Sequence, residues 1–475
     1  MRTDPSRSPL EQRFAPVREK MTEAGLPELA IRTFRHYFAQ LLDGGSGQLG
    51  EDRIGPISDV EALGDLAGRR EDGRQALGRT VIIKLNGGLG TSMGLDQAKS
   101  LLPARADTSF LELITRQVLD LRRGAGAGVP LLLMNSFATD TDSLALLDQW
   151  PELGRGQAPV PRSFLQHRVP RLDVASHEPV AWPQAPQREW CPPGHGDLYT
   201  VLQASGLLNQ LLDLGYRYAF VSNADNLGAT LDLDILGFVA SEQIPFLMEV
   251  TERTAADRKG GHLAQDRQGR LVLRESAQCP PEERERFQDI ERYRYFNTNN
   301  LWLDLQALAG ELETRGGVLG LPMIRNVKHV VPEDPGTPEV VQVETAMGSA
   351  IEVFAGARIL NVPRSRFVPV KTTTDLLVLW SDRCRLDDAG RVVPVAAGPL
   401  ELELDPRYFG TVSNFRARFP QGAPSLLEAE SLRVRGDIGF EGNVVVRGRV
   451  SLVNEHATPR WIPAGSVLSD LDETG

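Results

Sequence analysis

Apolar positions fall into distinct regimes along the chain. Up to about residue 75 the chain is polar with a helical recurrence of apolar side chains, in LEQRFAPVREKMTEAG and IRTFRHYFAQLLDGG, followed by a Gly- and Asp-rich stretch. This reads as an N-terminal helical extension and a linker. From residue 80 short aliphatic runs alternate with amphipathic stretches. TVIIKLN, VPLLLMNS, YRYAFVSN and PFLMEVT have the continuous apolar content of buried strands. FLELITRQVLDLRR, TDSLALLDQW and LDLDILGFVASEQ have helical period, and GDLYTVLQASGLLNQLLDLG reads as one long helix. Such alternation predicts an α/β fold with a mixed, mostly parallel sheet covered on both faces. Ligands then sit beyond the carboxyl ends of the strands, where NGGLGTSMG, NSFATD and SNADN all fall. After about residue 385 the helical patterns fade, and RVRGDIGFEGNVVVRGRVSLVN shows short β runs punctuated by glycine. That resembles the turns of a β-solenoid, a structure for packing or assembly. The expected boundaries are 1–75, 76–384 and 385–475.

The bulk composition narrows the function classes. At 475 residues, 41% hydrophobic and 24% charged, the chain suits a globular protein with a large core. Its three cysteines, Cys191, Cys279 and Cys384, are far apart and unpatterned, which excludes a disulfide framework and a Cys-rich zinc site. The start, MRTDPSRSPLEQRF, lacks the apolar core of a signal peptide, and no apolar run is long enough to span a bilayer. A cytoplasmic protein with no membrane partner is expected. A net charge of −11 leaves no global basic face for nucleic acid. Of 52 Lys+Arg residues only Lys20, Lys84, Lys99, Lys259, Lys328 and Lys371 are lysine. Where arginine serves as the generic cation, a retained lysine marks a place for a compact ammonium. Lys20, in a charged N-terminal helix, reads instead as a solvated surface residue.

Four motifs carry chemistry. KLNGGLGTSMGLDQAKS follows a strand, and Gly87, Gly88, Gly90 and Gly94 let backbone N–H groups approach a phosphate, with Lys99 just beyond. It matches neither a Walker A loop nor the GxGxxG fingerprint. WCPPGHGD holds His195 between two glycines at the start of a helix, where Asp197 serves as a simple N-cap. FVSNADNLGAT ends a buried strand in Asp225, placed either to hold Mg²⁺ or to cap the helix after Thr230. In the last group, FNTNNLW, RKGGHL and FVPVKTTTDL, Asn297, Asn299 and Asn300 suit sugar hydroxyls, though taken alone they read as an ordinary Asn-rich turn, and Lys371 lies at a strand edge.

Together these blocks resemble the eukaryotic-type UTP–glucose-1-phosphate uridylyltransferases, from KLNGGLGTSMG through VPRSRFVPVKTTTDLL and into GDIGFEGNVVVRGRV, over roughly residues 80 to 470. The resemblance implies a Rossmann-like nucleotidyltransferase domain plus a C-terminal left-handed parallel β-helix, and it allows a homo-oligomer formed through that C-terminal domain. It implies UTP along Leu85, Asn86, Gly87 and Gly88, with Lys99 and Lys371 on the phosphates as the catalytic pair. Gln166 and Gly194 would read the uracil, and His195, Asn223 and Asn299 would contact the sugar phosphate. Asp225 would hold Mg²⁺, the implied cofactor. Cys191 and Leu165 depart from the tyrosine and asparagine usual in the family.

The activity so implied joins UTP to glucose 1-phosphate and releases pyrophosphate by a single in-line displacement at the α-phosphorus. Two other readings stand beside it. One is a sibling activity on galactose 1-phosphate or N-acetylglucosamine 1-phosphate; Ser92 in GTSMG, where relatives acting on the N-acetyl sugar carry arginine, argues against the second of these. The other is a catalytically silent nucleotide-sugar sensor, against which the intact set Lys99, Asp225 and Lys371 argues.

Overall fold

The computed structural model describes residues 8–474 apart from 67, 106–107, 155–158, 255–256, 397 and 399. The first residues of the N-terminal extension and Ala255–Ala256 of the TERTAADRKGG stretch lie outside the described residues. A ten-stranded sheet runs through the molecule. Its strands are β1 (Ile54–Gly55), β2 (Thr80–Asn86), β3 (Leu131–Asn135), β4 (Ser163–Leu165), β5 (Tyr218–Asn223), β6 (Phe246–Glu252), β7 (His262–Asp266), β8 (Leu271–Arg274), β9 (Tyr295–Asp304) and β10 (Arg358–Asn361). The half that carries the glycine loop, β5, β2, β3 and β4, is parallel. Around β9 the sheet turns antiparallel, through its pairs with β5, β6 and β7.

The apolar runs of β2 and β3 have no polar face because helices cover both sides of the sheet. Ile82, Leu131, Leu133 and Phe220 pack in one cluster with Phe110, Ile114 and Val118, and Val81, Ile83, Leu132 and Val221 pack in another with Leu198, Leu202 and Leu211. The stretch read as one long helix is two, Asp197–Ala204 and Leu207–Asp213. Gly206, at φ +77°, breaks it, a left-handed conformation that a helix interior does not accommodate.

The N-terminal helices α1 (Pro9–Glu23) and α2 (Glu28–Leu42) bury Phe14, Val17, Met21, Phe34 and Phe38 against Val169, Cys191, Val341 and Val343. They therefore rest on a small antiparallel sheet, Leu172–Asp173, Glu339–Thr345 and Met323–His329, and on the strand that leads into the PPGHG loop. Lys20 is not a solvated surface residue. Its ammonium is paired with Glu189 and donates to the Val180 carbonyl at 2.8 Å, stitching α1 to the segment before that loop. The stretch read as a linker is built into the body, because β1 pairs with β7 and Arg70–Leu77 forms a helix.

In the C-terminal part the strands Glu401–Leu404, Ser425–Arg435, Val445–Val453 and Val467–Thr474 pair in parallel, one after another. Ile438–Phe440 and Arg460–Ile462 form a second parallel pair, which gives successive coils of a β-helix. Helical structure does not end at residue 385. Pro406–Phe409 and Val412–Arg418 are helices, and Phe415 meets Trp380 edge-on at 5.3 Å. Phe409, Phe415 and Phe419 share one hydrophobic cluster with Leu376 and Leu377, so the apolar core runs unbroken from the sheet into the coil. Among the described residues no helix is long and apolar enough to cross a membrane.

Candidate active site

The strands β2 and β5 run parallel in a register that sets Asn223 beside Leu85, and Ala224 N donates to the Leu85 carbonyl at 3.0 Å. Both chains therefore leave the sheet at one level. Beyond β2 the glycine stretch folds back on itself. Leu89 bridges Ala98, and Lys99 N donates to the Gly88 carbonyl at 3.2 Å. This return brings Lys99 to the mouth of the loop, where its ammonium donates to Asp225 Oδ2 at 2.8 Å. A cavity of about 290 Å³ opens there. Ten expected site residues line it: Leu85, Asn86, Gly87, Gly88, Lys99, Gln166, Gly194, His195, Asn223 and Asp225.

Several side chains act differently from their expected parts. The Asn86 amide turns inward and donates to Asn135 Oδ1 and Ser143 Oγ, both at 2.8 Å. What Asn86 offers the cavity is backbone. Gly87 leaves room for the Gln166 amide, whose oxygen and nitrogen lie 2.8 Å from where a Cβ would stand. Asp197 is not an N-cap, since the cap position is Gly196. Its carboxylate accepts from His167 N at 2.7 Å and pairs with His167 Nδ1 at 2.9 Å, which fixes the backbone next to Gln166.

Gly194 sits at φ +79°, and a Cβ would stand 2.3 Å from the Thr345 carbonyl oxygen. The loop and Thr345 also exchange two backbone hydrogen bonds, Gly196 N to Thr345 O and Thr345 N to Pro193 O, each 2.9 Å. His195 Nδ1 accepts from Met347 N at 2.9 Å. An acceptor at Nδ1 leaves the proton on Nε2 in the neutral ring. Burial pushes the His195 pKa down to about 4, so the ring stays neutral near pH 7 and Nε2–H is a donor.

Asp225 does not cap the following helix, because Asp232 does so through Asp234 N and Ile235 N. Its Oδ1 is buried and has no hydrogen-bond partner among the described residues. An ionised oxygen in that condition calls for a cation. Among the described residues no three His, Cys, Asp or Glu side chains converge on a metal position.

Lys371 is not at a strand edge. It stands exposed just before the helix Thr373–Trp380, whose N-cap Thr372 and Asp375 form a reciprocal capping box. Asp375 Oδ2 also accepts from Lys371 N at 2.8 Å. The TTTD spelling carries that cap signal. Lys371 lines a neighbouring cavity of about 480 Å³, together with Lys259, Phe296 and Arg364. The two cavities share a wall, since Val370 N donates to the Asp225 carbonyl at 3.1 Å and Pro369 bridges Asn226.

Asn299 lies on neither of these linings. It projects from an irregularity in β9, where Asn300 and Asn297 pair with the consecutive residues Glu249 and Val250. Its φ is +58°, held by Asn297 Nδ2 on its Oδ1 at 2.9 Å and by its own N–H on Asn297 Oδ1 at 2.8 Å. Bulges of this kind re-aim side chains beside active sites. Glu275, absent from the sequence reading, faces Gly261, and burial raises its pKa while the charge of Lys371 pulls it down. Glu249 was missed as well: a carboxylate inside the apolar run FLMEVT is the signal that would have found it.

Comparison with known proteins agrees with this geometry. Residues 31–447 match the family described as UTP–glucose-1-phosphate uridylyltransferase. The barley (Hordeum vulgare) UTP–glucose-1-phosphate uridylyltransferase is 41% identical over 404 residues, covering 84% of this chain and 82% of its own. The Saccharomyces cerevisiae enzyme is 41% identical over 401 residues, covering 84% and 79%. Among solved structures, the Leishmania major UDP-glucose pyrophosphorylase superposes with a TM-score of 0.90 at 40% identity, covering 99% of this chain and all of that one. A serine-to-tryptophan mutant of the Leishmania enzyme, in complex with UDP-glucose, gives 0.90 at 39% identity, with 99% of this chain and 100% of that one covered. The chain belongs to the UTP–glucose-1-phosphate uridylyltransferase family, and its activity is the nucleotidyl transfer from UTP to glucose 1-phosphate.

Proposed function

We propose that the chain makes UDP-glucose by a single in-line displacement. A phosphate oxygen of glucose 1-phosphate attacks the α-phosphorus of UTP, and pyrophosphate leaves. The Lys99–Asp225 pair at the mouth of the glycine loop carries this reading, because it sets a cation and a carboxylate suited to a metal ion beside backbone that can take phosphates. No side-chain nucleophile is required. Ser100 is the hydroxyl that lines the cavity, and its Oγ has no hydrogen-bond partner among the described residues, so no base activates it. The reaction then rests on positioning and charge stabilisation.

In this mechanism the backbone from Leu85 to Gly88 approaches the nucleotide, and Lys99 and Lys371 offset the charge of the phosphates. Gln166 and the Gly194 backbone read the uracil. The neutral His195 donates Nε2–H toward the sugar phosphate, which Asn223 and Asn299 also contact. Asp225 is suited to Mg²⁺ through its unpartnered Oδ1. With one protein carboxylate, the remaining ligands would be phosphate oxygens and water, which is how Mg²⁺ is commonly held. When bound, the ion supplies positive charge to the phosphate oxygens. We also propose the reducing cytoplasm as the compartment, where three free cysteines persist, and the C-terminal coil as an element for packing or assembly.

The test is the stereochemistry at phosphorus. UTP made chiral at a thio-substituted α-phosphorus should yield UDP-glucose with inverted configuration. Retention would mean two displacements through a covalent nucleotidyl-enzyme and would overturn the mechanism.

A further inference from the structure

Glu249 lies in the middle of an apolar strand and is fully buried, yet it lines neither cavity. Its carboxylate is saturated by donors. Arg366 supplies Nε at 2.7 Å and Nη2 at 2.6 Å, Trp302 supplies Nε1 at 2.9 Å, and Asn300 supplies Nδ2 at 3.1 Å. A buried ion pair of this kind adds little stability over apolar residues of similar size, and its best-attested use is to fix register.

The register it fixes here is that of the segment ending in Lys371. Arg366 Nη2 also donates to the Thr230 carbonyl at 2.9 Å, and the Arg366 carbonyl accepts from Asn226 Nδ2 at 3.1 Å and Asn300 Nδ2 at 3.3 Å. Next, Val368 N donates to Asn226 Oδ1 at 2.8 Å, and Val370 N to the Asp225 carbonyl. The segment is thus laid along the loop that carries Asp225. The two chains touch so closely that a Cβ on Gly228 would stand 2.4 Å from the Ser365 carbonyl oxygen.

We infer that Glu249 and Arg366 are positioning residues, which hold the backbone of Lys371 in register with Asp225. The inference rests on the reading of Lys371 as a contact to the reacting phosphates. The pair touches no substrate. It sets where an ammonium on a long, flexible stem begins its reach, and so which phosphate oxygens it meets in the transition state.

The experiment compares Glu249→Met/Arg366→Met, Arg366→Lys, Lys371→Met and the combinations of the first two with Lys371→Met. Each variant is followed by thermal melting, equilibrium UTP binding and steady-state kinetics. The apolar double variant should melt near the parent, bind UTP within about threefold and lose at least about tenfold in kcat. Added to Lys371→Met it should cost nothing further, because it acts through that lysine. Losses that multiply in the combined variant, or parent turnover in a folded double variant, would overturn the inference. Arg366→Lys covers the case in which the double variant does not fold. It keeps the charge and loses the fork, so kcat should fall with KM for UTP held, and parent kcat overturns the inference. Lys371→Met at parent turnover would remove the reading of Lys371 itself. An inactive Lys371→Met beside a fully active Arg366→Lys removes only the positioning role.

Discussion

Replacing Lys99 by methionine should move metal binding and turnover in opposite directions. In the free protein the Lys99 ammonium stands 2.8 Å from Asp225 Oδ2, with both side chains about four-fifths buried (18% and 21% exposed). It pairs with one oxygen of the carboxylate whose other oxygen, Oδ1, a divalent cation would approach, so its charge opposes the ion across the carboxylate. At an effective dielectric of 20 the gross attraction at that distance is about 6 kcal/mol, and most of it is offset by lost hydration. A charge-assisted hydrogen bond nets about 1.5–3 kcal/mol. A cation that takes up the charge of Asp225 at Oδ1 weakens this bond by up to that amount, whereas UTP phosphates that engage Lys99, as proposed, would free the carboxylate. Methionine keeps the length of the stem and removes the charge. Mg²⁺ binding to the nucleotide-free protein should therefore tighten by roughly tenfold to a hundredfold, at about 1.4 kcal/mol per factor of ten. UTP binding and kcat should fall. The assay is calorimetric titration of Mg²⁺ into protein without nucleotide, beside kinetics and a melt to confirm folding. Unchanged or weaker Mg²⁺ binding by a folded Lys99→Met would refute the argument that Lys99 holds Asp225 against a cation in the free state.

Three further outcomes follow from the geometry. Lys371→Arg conserves charge but exchanges a compact donor for a planar fork, so kcat should drop at least about tenfold, or roughly 1.4 kcal/mol, with UTP binding little changed; parent turnover would end the reading. His195 has a folded pKa of about 4 against 6.5 in the unfolded chain, so the unfolded state takes up the proton first. The stability that its neutral form contributes is complete above pH 6.5 and is lost as pH falls toward 4, with a ceiling of about 3 kcal/mol. Melts across that range should be flatter for His195→Asn, and an unchanged slope would count against the neutral ring. Gly194→Ala sets a Cβ 2.3 Å from the Thr345 carbonyl oxygen at φ +79°. UTP binding should fall by at least about tenfold, since the strained loop costs roughly 1–3 kcal/mol, and parent-like binding measured by calorimetry would show that the loop is free to shift.

What the sequence determined by itself was local in origin. The aliphatic runs of β2, β3 and β5 declared buried strands because helices cover both faces and leave no polar alternation to read. The polar motifs after those runs named the end of the sheet where the cavity lies, and four closely spaced glycines in KLNGGLGTSMG marked the loop that lines it. The break at Gly206 was hidden because a lone glycine inside an apolar helical period can be tolerated at modest cost, so its presence does not by itself mark an end. Tertiary structure alone decided which polar atoms meet. Asn86 and Asn223 end parallel strands and look equivalent in sequence, but only Asn86 finds Asn135 and Ser143 behind it and turns inward. Lys99 and Asp225 pair across more than a hundred residues because β2 and β5 run parallel in register and the glycine loop returns to Gly88. Lys371 comes to the neighbouring cavity on a segment whose Arg366 is paired with a carboxylate buried in β6. Propensity and spacing act within a few residues. A buried charge must find its partner wherever the fold supplies one, and that choice is made only when the strands have paired.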